Sequence, residues 1–338
     1  MAARRAPRDR GKLGAMRGLL PLLLGLAPLS AQVATFSIVA YDAAAGEWGV
    51  TVASRYFSVG SVVPWAEAGV GAIATQANVN VGYGPRGLEL LRQGNSAKQV
   101  LVRLLAEDNF EGKDGRQVAI VDSKGNIAAY TGPNAPTWAG DRQGRNWSAQ
   151  GNILVGPQVV EGMGRAFEGT QGELAEKLYA ALKAGDDAGG DARGKQSASM
   201  LVVRKQGGRN INNDRSIYIN VDDNPQPLAE LRRLLDLNLG YLYQDRTVKS
   251  LDAGQEKEAR TAAEKVVHYW PQRPDGSLML GLLDYASGDR AAALRELRSA
   301  RSLANSASFR NQFEAVARRP AFQAILKDEQ LLKQLFGE

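Results

Sequence analysis

Apolar residues alternate with polar ones, or gather in short runs, over much of residues 35–221. This pattern is typical of β-strands rather than of long helices. Residues 35–41 and 47–54 form two such segments, and the Asp-Ala-Ala-Ala-Gly between them predicts a hairpin-like turn. Further strands are predicted at residues 69–76, 117–122, 127–131, 146–154, 197–204 and 216–221.

Two segments between these strands carry apolar residues at helical spacing instead. Residues 85–105 begin with Pro85, which suits the first turn of a helix, and residues 159–184 place Met163 and Phe167 on one face. Strands followed by helices and then by strands again favour layered sheets with a helical layer. The pattern therefore predicts an α+β sandwich.

The best domain boundary lies at Asn224-Pro-Gln-Pro227, where two prolines end the strand pattern and only helical periodicity follows. A period of 34 residues recurs in this tail, because Ala259 and Ala293 hold equivalent small positions. The tail resembles tetratricopeptide repeats, and a plain helical hairpin is the alternative. We predict a leader at residues 1–31, a strand-rich domain at 32–225 that folds alone, and an all-α domain at 226–338.

The first 31 residues have the pattern of a secretory signal. Basic residues precede a short apolar run that ends in Ala27-Pro-Leu-Ser-Ala31. That run is shorter than the ~20 residues that span a bilayer. We therefore expect a periplasmic or secreted protein without stable membrane insertion, with a retained membrane anchor as the alternative.

Removal of this leader changes the charge balance of the chain. The whole sequence has 42 Lys and Arg against 36 Asp and Glu. Six of the basic residues and one acidic residue lie in the leader, which leaves 36 against 35. A nearly neutral mature protein gives no reason to expect a nucleic-acid partner.

The chain has no cysteine and a single histidine, His268. Thiol nucleophiles, thiolate or histidine-rich metal sites and a Ser-His-Asp triad are therefore not expected. Gly82 and Gly87 bound a GxGxxG pattern, but the nearest strand-end acid, Asp122, follows 35 residues after Gly87 instead of about 20. We expect neither a metal nor a cofactor.

Thr35, just after the leader, is the main candidate for a catalytic residue. A threonine at a free N-terminus can attack with its hydroxyl while its own α-amine accepts the proton, so no histidine is needed. Cleavage after Ala31 would leave three residues before Thr35, and its nitrogen would then be an amide. The hypothesis needs further trimming or self-cleavage, and an ordinary strand threonine is the alternative.

Other candidates stand at strand ends or in a glycine-rich loop. Ser54 and Arg55 close the second predicted strand, where a cation could stabilise developing negative charge. Amide groups could hold an oxyanion or a substrate, and the loop at residues 186–197 carries groups suited to a polar substrate. These candidates are Gln76, Asn78, Asn152, Asp191, Arg193 and Gln196.

Several motifs together make the chain similar to the family called domain of unknown function 1028. They are Thr35-Phe-Ser-Ile-Val-Ala, Gly49-Val-Thr-Val-Ala-Ser-Arg, Gly60-Ser-Val-Val-Pro-Trp, Gly69-Val-Gly-Ala-Ile-Ala-Thr-Gln, Tyr83-Gly-Pro-Arg-Gly-Leu, Gln150-Gly-Asn-Ile-Leu and Gly190-Asp-Ala-Arg-Gly-Lys-Gln-Ser. The resemblance implies the fold of N-terminal nucleophile hydrolases, a four-layer α-β-β-α sandwich, with Thr35 at the nucleophile position. Proteasome-type subunits are less similar, since an acid ends their second strand where this chain has Ser54-Arg55.

The sequence thus leaves two main hypotheses of function. The first is an exported hydrolase that cleaves an amide bond in a small amide or peptide-like substrate, with Thr35 as the nucleophile. The second is a non-catalytic binding or scaffold protein of the cell envelope, which recruits a peptide or protein partner through its helical tail. A purely structural envelope protein is a third alternative, and a homo-oligomer is compatible with each.

Overall fold

A computed structural model describes residues 1–2 and 35–337 of the chain. Nearly all of the predicted leader at residues 1–31 therefore lies outside the described residues. None of the described helices combines the length and the apolar character that a membrane-spanning segment requires.

The described strands form two antiparallel sheets. The larger has six strands in the order β10-β9-β2-β1-β8-β7, and the smaller has four in the order β3-β4-β5-β6. The strands are β1 (Thr35–Asp42), β2 (Glu47–Ser54), β3 (Pro64–Glu67), β4 (Gly71–Ala77), β5 (Arg116–Asp122), β6 (Ile127–Thr131), β7 (Gly140–Gly144), β8 (Trp147–Asn152), β9 (Ser197–Val203) and β10 (Arg215–Val221).

Ten α-helices complete residues 35–337. Four are inserted among the strands and six follow the last strand. They are α1 (Tyr83–Arg92), α2 (Ala97–Glu107), α3 (Gln158–Gly169), α4 (Leu174–Asp187), α5 (Pro227–Asp252), α6 (Glu256–Tyr269), α7 (Asp275–Ala286), α8 (Arg290–Leu303), α9 (Ser306–Ala317) and α10 (Glu329–Phe336).

Strand β1 shows how the alternation of side chains divides the core. Phe36 and Ile38 point to one face of the large sheet and pack with α3 and α4, whereas Val39 points to the other face. On that second face Val39 meets Ala74 and Ala119 of the small sheet. Helices α1 and α2 cover the outer face of the small sheet. The two sheets therefore pack face to face, with helices on both outer sides.

Two sequence predictions of single helices are wrong. The segment predicted at residues 85–105 is two helices, since Gly94 adopts a left-handed φ of 87° and Ser96 caps the N-terminus of α2 through a capping box with Gln99. The segment predicted at 159–184 breaks in the same way near Gly172, whose φ is 99°. Both breaks fall in short polar stretches that contain glycine, residues 92–96 and 168–173, where the apolar spacing is interrupted.

Helix α5 begins at Pro227, close to the predicted domain boundary, but its first half belongs to the core of the large sheet. Leu228, Leu231 and Leu235 are buried among side chains of β9, β10 and α4. Later helices build a second apolar cluster, which includes Leu282 and Phe313. The boundary at residue 225 stays a prediction, and the packing ties α5 to the sheet.

The helical tail repeats its geometry every 34 residues. Helix α6 spans Glu256–Tyr269 and α8 spans Arg290–Leu303, so both bounds shift by 34. Gly254 and Gly288, just before these helices, both adopt left-handed φ values, 69° and 91°. The period found in the sequence is therefore a period of helix positions, while the assignment to tetratricopeptide repeats remains a prediction.

Candidate functional site

A row of polar side chains crosses the large sheet at the end where β1 begins. Strand pairing places Thr35 opposite Asn152 on β8 and opposite Ser54 on β2, and Ser54 opposite Ser197 on β9. All four residues are buried. The Thr35 Oγ1 and Ser54 Oγ atoms lie 3.1 Å apart, within hydrogen-bond distance.

The small sheet presents a second polar row to the first. Gln76, Gln117 and Thr131 are paired neighbours on β4, β5 and β6. The Gln76 Nε2 atom lies 3.4 Å from the Thr35 carbonyl oxygen, which accepts its hydrogen bond. On the small sheet the position two residues beyond Gln117 is the apolar Ala119, whereas on β1 the facing positions become apolar only at Val39, after the polar Ser37. Polar groups between the sheets are therefore concentrated around Thr35.

Gln117 fixes the direction of the hydrogen bonds in this buried cluster. Its Nε2 group donates to the carbonyl oxygens of Gly151 and Gly140, at 2.8 and 3.2 Å, and these oxygens can only accept. Its Oε1 atom must therefore face donors. The donors are Nε2 of Gln76 at 2.7 Å and Nδ2 of Asn152 at 3.1 Å.

The directions of the hydrogen bonds beyond Gln76 are fixed in turn, from Gln76 into the large sheet. Since Nε2 of Gln76 donates, its Oε1 accepts from the Ser37 hydroxyl at 2.6 Å. Ser37 in turn accepts from Nε2 of Gln150 at 2.6 Å, and Gln150 accepts from the Ser148 hydroxyl at 3.0 Å. All side chains in this series of hydrogen bonds are neutral amides or hydroxyls, so none of them changes its protonation between acidic and neutral pH.

Asn152 carries the unsatisfied acceptor of this cluster. Because its Nδ2 donates to Gln117, its Oδ1 points elsewhere, and this oxygen is buried without a hydrogen-bond partner among the described residues. A buried carbonyl oxygen without a donor costs about 1–3 kcal/mol. Asn152 is the strand neighbour of Thr35, so the unsatisfied acceptor lies beside the first described residue of β1.

The glycine-rich loop after α4 is anchored to the end of β2 through Asp191. The buried Asp191 carboxylate accepts from the Arg55 backbone N–H at 2.7 Å and from the Arg193 backbone N–H at 2.8 Å. It also pairs with the Arg193 guanidinium at 3.0 Å. The Arg55 guanidinium donates to the Arg193 carbonyl oxygen at 3.1 Å. Arg55, Asp191 and Arg193 therefore lie together next to Ser54. Their hydrogen bonds anchor the glycine-rich loop to the end of β2.

The remaining two candidates lie in different surroundings. Gln196 donates from Nε2 to Asp223 at 3.1 Å, and its backbone N–H donates to the Ser54 carbonyl oxygen at 3.2 Å. Asn78 follows the end of β4 and donates from Nδ2 to the Gly112 carbonyl oxygen at 3.1 Å. Its side chain belongs to a loop contact on the small sheet rather than to the cluster around Thr35.

Next to Asn78 lies a buried ion pair between Asp108 and Arg116, with 2.9 Å between the charged atoms. Burial alone would raise the pKa of the Asp108 carboxyl, but hydrogen bonds from Arg116 and from the Tyr83 hydroxyl outweigh it. Together they lower this pKa from 3.8 to about 2. The folded protein therefore holds this proton less tightly than the unfolded chain does.

This ion pair predicts an acid-sensitive part of the stability. A carboxyl with a depressed pKa stabilises the fold above its unfolded pKa, and that contribution is lost as the pH falls from about 4 to 2. The shift corresponds to about 2 kcal/mol. Denaturant titrations across this range should show a smaller loss of unfolding free energy in Asp108→Asn than in the unsubstituted protein. Glu168→Gln, at an exposed carboxyl, serves as control and should behave like the unsubstituted protein. If Asp108→Asn loses as much unfolding free energy between pH 4 and 2 as the unsubstituted protein does, Asp108 is not the source of the acid sensitivity.

A small cavity adjoins the Thr35 end of the large sheet. Its volume is about 70 Å³, and Ser54, Asp191 and Lys195 line it together with Leu228 of α5. Binding sites for drug-sized ligands usually have roughly 300–1,000 Å³. A larger cavity of about 410 Å³ lies between α5 and α6, where Tyr243 and Lys249 are among the lining residues.

Sequence reasoning found Thr35, Ser54, Gln76 and Asn152 but missed Gln117, the residue that organises the cluster. Ser37 and Gln150 were missed as well, since polar residues that alternate with apolar ones usually mark a solvent-facing side of a strand. A usable signal is that Gln117 stands directly before the apolar run Val118–Val121 of β5, and that Gln76 follows the small and apolar residues that begin β4.

These features define the class of the protein, an α+β domain of two antiparallel sheets that bury a neutral polar cluster at one end. The chain belongs to the family described as "Family of unknown function (DUF1028)", whose model matches residues 35–231. The family predicted from the motifs is thereby confirmed. Comparison with the curated proteins finds no match.

A solved structure of the same family is similar to this chain. It is the crystal structure of a protein from Silicibacter pomeroyi, described with the family model DUF1028, which is 29% identical with a TM-score of 0.54. The match covers 60% of this chain and 84% of that one. Helices α6–α10 lie beyond the part of the chain that the family model matches.

Proposed function

We propose that the domain matched by the family model is an amide-bond hydrolase of the N-terminal nucleophile type, in an exported protein. Thr35 is the nucleophile in this proposal, and it acts after the residues before it are removed. The single observation that carries the proposal is the buried polar cluster around Thr35, with its unsatisfied Asn152 oxygen.

The position of Thr35 supports this role. Its hydroxyl contacts Ser54 at 3.1 Å, at the end of the strand where the two sheets face each other through polar groups. The arrangement of two facing sheets with helices outside agrees with the α-β-β-α sandwich that the family resemblance implies. A hydroxyl so placed is held by rigid strands, which favours precise positioning of a nucleophile.

The proton chemistry requires a free α-amine on Thr35. As long as any residue precedes Thr35, its nitrogen is an amide and cannot serve as a base. An α-amine titrates near ~7.7–8.0 and is partly neutral at physiological pH. It would take the hydroxyl proton as Oγ1 forms a bond to the substrate carbonyl carbon, and return it to the departing amine as the C–N bond breaks. Water would then release the acyl group from the hydroxyl.

The unsatisfied acceptor beside Thr35 fits this chemistry. A new α-ammonium group adds donors where the uncleaved chain has one backbone N–H, and Asn152 Oδ1 is a buried acceptor on the neighbouring strand. Gln76 stands on the opposite sheet, and its Nε2 donates to the Thr35 carbonyl oxygen. Gln76 thereby fixes the backbone of the nucleophile.

The loop that Asp191 anchors would form one wall of the substrate site. Lys195 and Leu228 line the cavity of about 70 Å³ with it, so α5 stands at the same wall. A cavity of this size admits a small group, not a large ligand. Phe36 and Ala53, on the helix-facing side of the large sheet, also line this cavity and Thr35 does not. We therefore expect a short amide or peptide-like substrate whose approach to Thr35 displaces the loop or the first turn of α5.

A β-lactone probe tests the nucleophile without knowledge of the substrate. Attack by Thr35 Oγ1 on the lactone carbonyl opens the ring, so the protein gains the full mass of the probe at Thr35 as an ester. We expect this mass with the processed protein and with Thr35→Ser, but not with Thr35→Val. Ser61→Ala, at an exposed serine, serves as control. Equal labelling of Thr35→Val would contradict the proposal.

A second candidate function is supported by the cavity of about 410 Å³ in the helical tail. Arg246, Lys249 and Lys257 line it against one acidic residue, Glu258, so the lining carries a net positive charge. Such a groove suits the recruitment of an acidic peptide. Binding of an acidic peptide that Lys249→Glu abolishes, in a protein that never reacts with the lactone, would favour the scaffold function.

A further inference from the structure

The two edge strands of the large sheet, β7 and β10, differ in how well they are protected against pairing with another chain. Strand β7, at one end, is short and polar, with the sequence Gly-Asp-Arg-Gln-Gly. Glycine, charge and brevity are the features by which proteins keep an edge strand from pairing with another chain. Strand β10, at the other end, has the sequence Arg-Ser-Ile-Tyr-Ile-Asn-Val and lacks these features beyond its first residue.

The outer edge of β10 remains open for pairing. Within the described residues β10 pairs with β9 alone, and backbone hydrogen bonds to a second strand are absent on its other side. The edges of the small sheet differ, because β3 has four residues and begins with Pro64, and β6 packs beside β7 and β8. Tyr218, at the centre of β10, is 49% exposed.

Helix α5 flanks the same edge with an apolar stripe. Leu234, Leu237 and Tyr241 recur at helical spacing, and each is only partly buried. Together with Tyr218 and neighbouring residues of β10 they line a cavity of about 320 Å³, which we call the β10–α5 groove. Asn238 also lines this groove, and its Oδ1 atom is buried without a partner among the described residues.

We propose that the β10–α5 groove is the interface of a two-fold symmetric homodimer, in which β10 pairs antiparallel with β10 of a second copy. A second copy satisfies both parts of the groove at once. Its strand supplies the missing backbone partners, and its α5 covers the apolar stripe. An extended peptide would supply the strand alone and leave Leu237 and Asn238 uncovered.

The sequences of β10 and α5 are compatible with a two-fold axis between two copies. An axis through Tyr218 places Ile217 opposite Ile219 of the other copy, so β-branched residues meet across the new pair. In the proposed dimer the two α5 helices pack antiparallel about the middle of the stripe, which places Leu237 opposite Asn238 of the other copy. Paired strands lie about 4.8 Å apart and packed helices roughly 8–10 Å apart. Helix α5 packs on both β9 and β10, so its axis lies inward of the β10 edge. The strand spacing and the helix spacing can therefore be satisfied in the same dimer.

Sedimentation velocity with charge substitutions tests the dimer. Tyr218 lies on the axis and faces Tyr218 of the other copy, and Leu237 lies close to Leu237 of the other copy, so Tyr218→Lys and Leu237→Lys bring like charges together and should raise the dimer dissociation constant roughly tenfold or more. Gln143→Lys on β7 adds the same charge at the protected edge and should leave it unchanged. A protein that stays monomeric throughout the micromolar range would overturn the proposal.

A thiol on the axis gives an independent readout that does not depend on stability. The chain has no cysteine, so Tyr218→Cys introduces a single thiol. Directly opposed strand residues have Cβ atoms about 4.5–5.5 Å apart, close to disulfide geometry. Mild oxidation should give a covalent dimer with Tyr218→Cys but not with Gln143→Cys. Equal cross-linking of both variants would contradict the proposed dimer. Capture of an extended peptide by a monomer would contradict it as well and would make the groove a peptide-binding site.

Discussion

Replacement of Gln117 by leucine should lower the free energy of unfolding by about 3–5 kcal/mol, because it leaves several buried groups without partners. Gln117 accepts from Gln76 and Asn152, and the two N–H groups of its Nε2 are shared among two backbone carbonyl oxygens and the Thr131 hydroxyl. Leucine has a similar volume but restores none of these hydrogen bonds. Chemical denaturation followed by circular dichroism measures the effect.

The same glutamine type on the surface provides the control. Gln143 lies exposed on β7, and Gln143→Leu should change the free energy of unfolding by less than about 0.5 kcal/mol. If Gln117→Leu also costs less than about 1 kcal/mol, the buried cluster does not organise the interface between the sheets. The lactone reaction should fall in Gln117→Leu as well, since Asn152 and Gln76 lose the partner that orients them.

A chain that ends at residue 225 should lose its cooperative unfolding transition. This truncation removes Leu228, Leu231 and Leu235, which are buried against the large sheet. Burial of one leucine contributes roughly 1.5–3 kcal/mol, so three contribute about as much as the whole stability of a typical domain, ~5–15 kcal/mol. The sequence alone predicts that this fragment folds, and the packing of α5 gives the opposite expectation.

A longer fragment separates the two expectations. A chain that ends at residue 254 keeps all of α5 and removes α6–α10. We expect it to unfold cooperatively, with a lower midpoint because α6 no longer covers Leu242 and Tyr243. Differential scanning calorimetry compares the two fragments directly. A cooperative transition in the shorter fragment, close to that of the longer one, would restore the boundary at residue 225.

The sequence predicts the strands of the core well and the short peripheral elements poorly. Strands β1, β2 and β5 lie within one residue of their predicted bounds, because burial on both faces selects mostly apolar or small residues. Strand β7 was missed, since a short polar edge strand has no apolar pattern. Helices α1 and α2 were merged because their break depends on the backbone conformation of Gly94.

The site is predictable only in part for a similar reason. Thr35 and Ser54 stand at strand ends in an antiparallel pair, so their proximity follows from the hairpin register. Gln117 comes from the other sheet, and only the packing of the two sheets brings it to Asn152. Asp191 was recognised as a candidate from its loop, but its hydrogen bonds to the backbone of Arg55 depend on how that loop folds.

The chemical state of the Thr35 nitrogen decides whether Thr35 can act as the nucleophile. Mass spectrometry of the mature protein from the cells that make it identifies its first residue, and we predict Thr35. Periodate cleaves an amino alcohol, so a free N-terminal threonine is oxidised to an aldehyde that an aminooxy reagent captures. We predict this capture for the native protein and its loss in Thr35→Val. A mature chain that begins at Gln32, and is unreactive to periodate, would contradict the proposed mechanism.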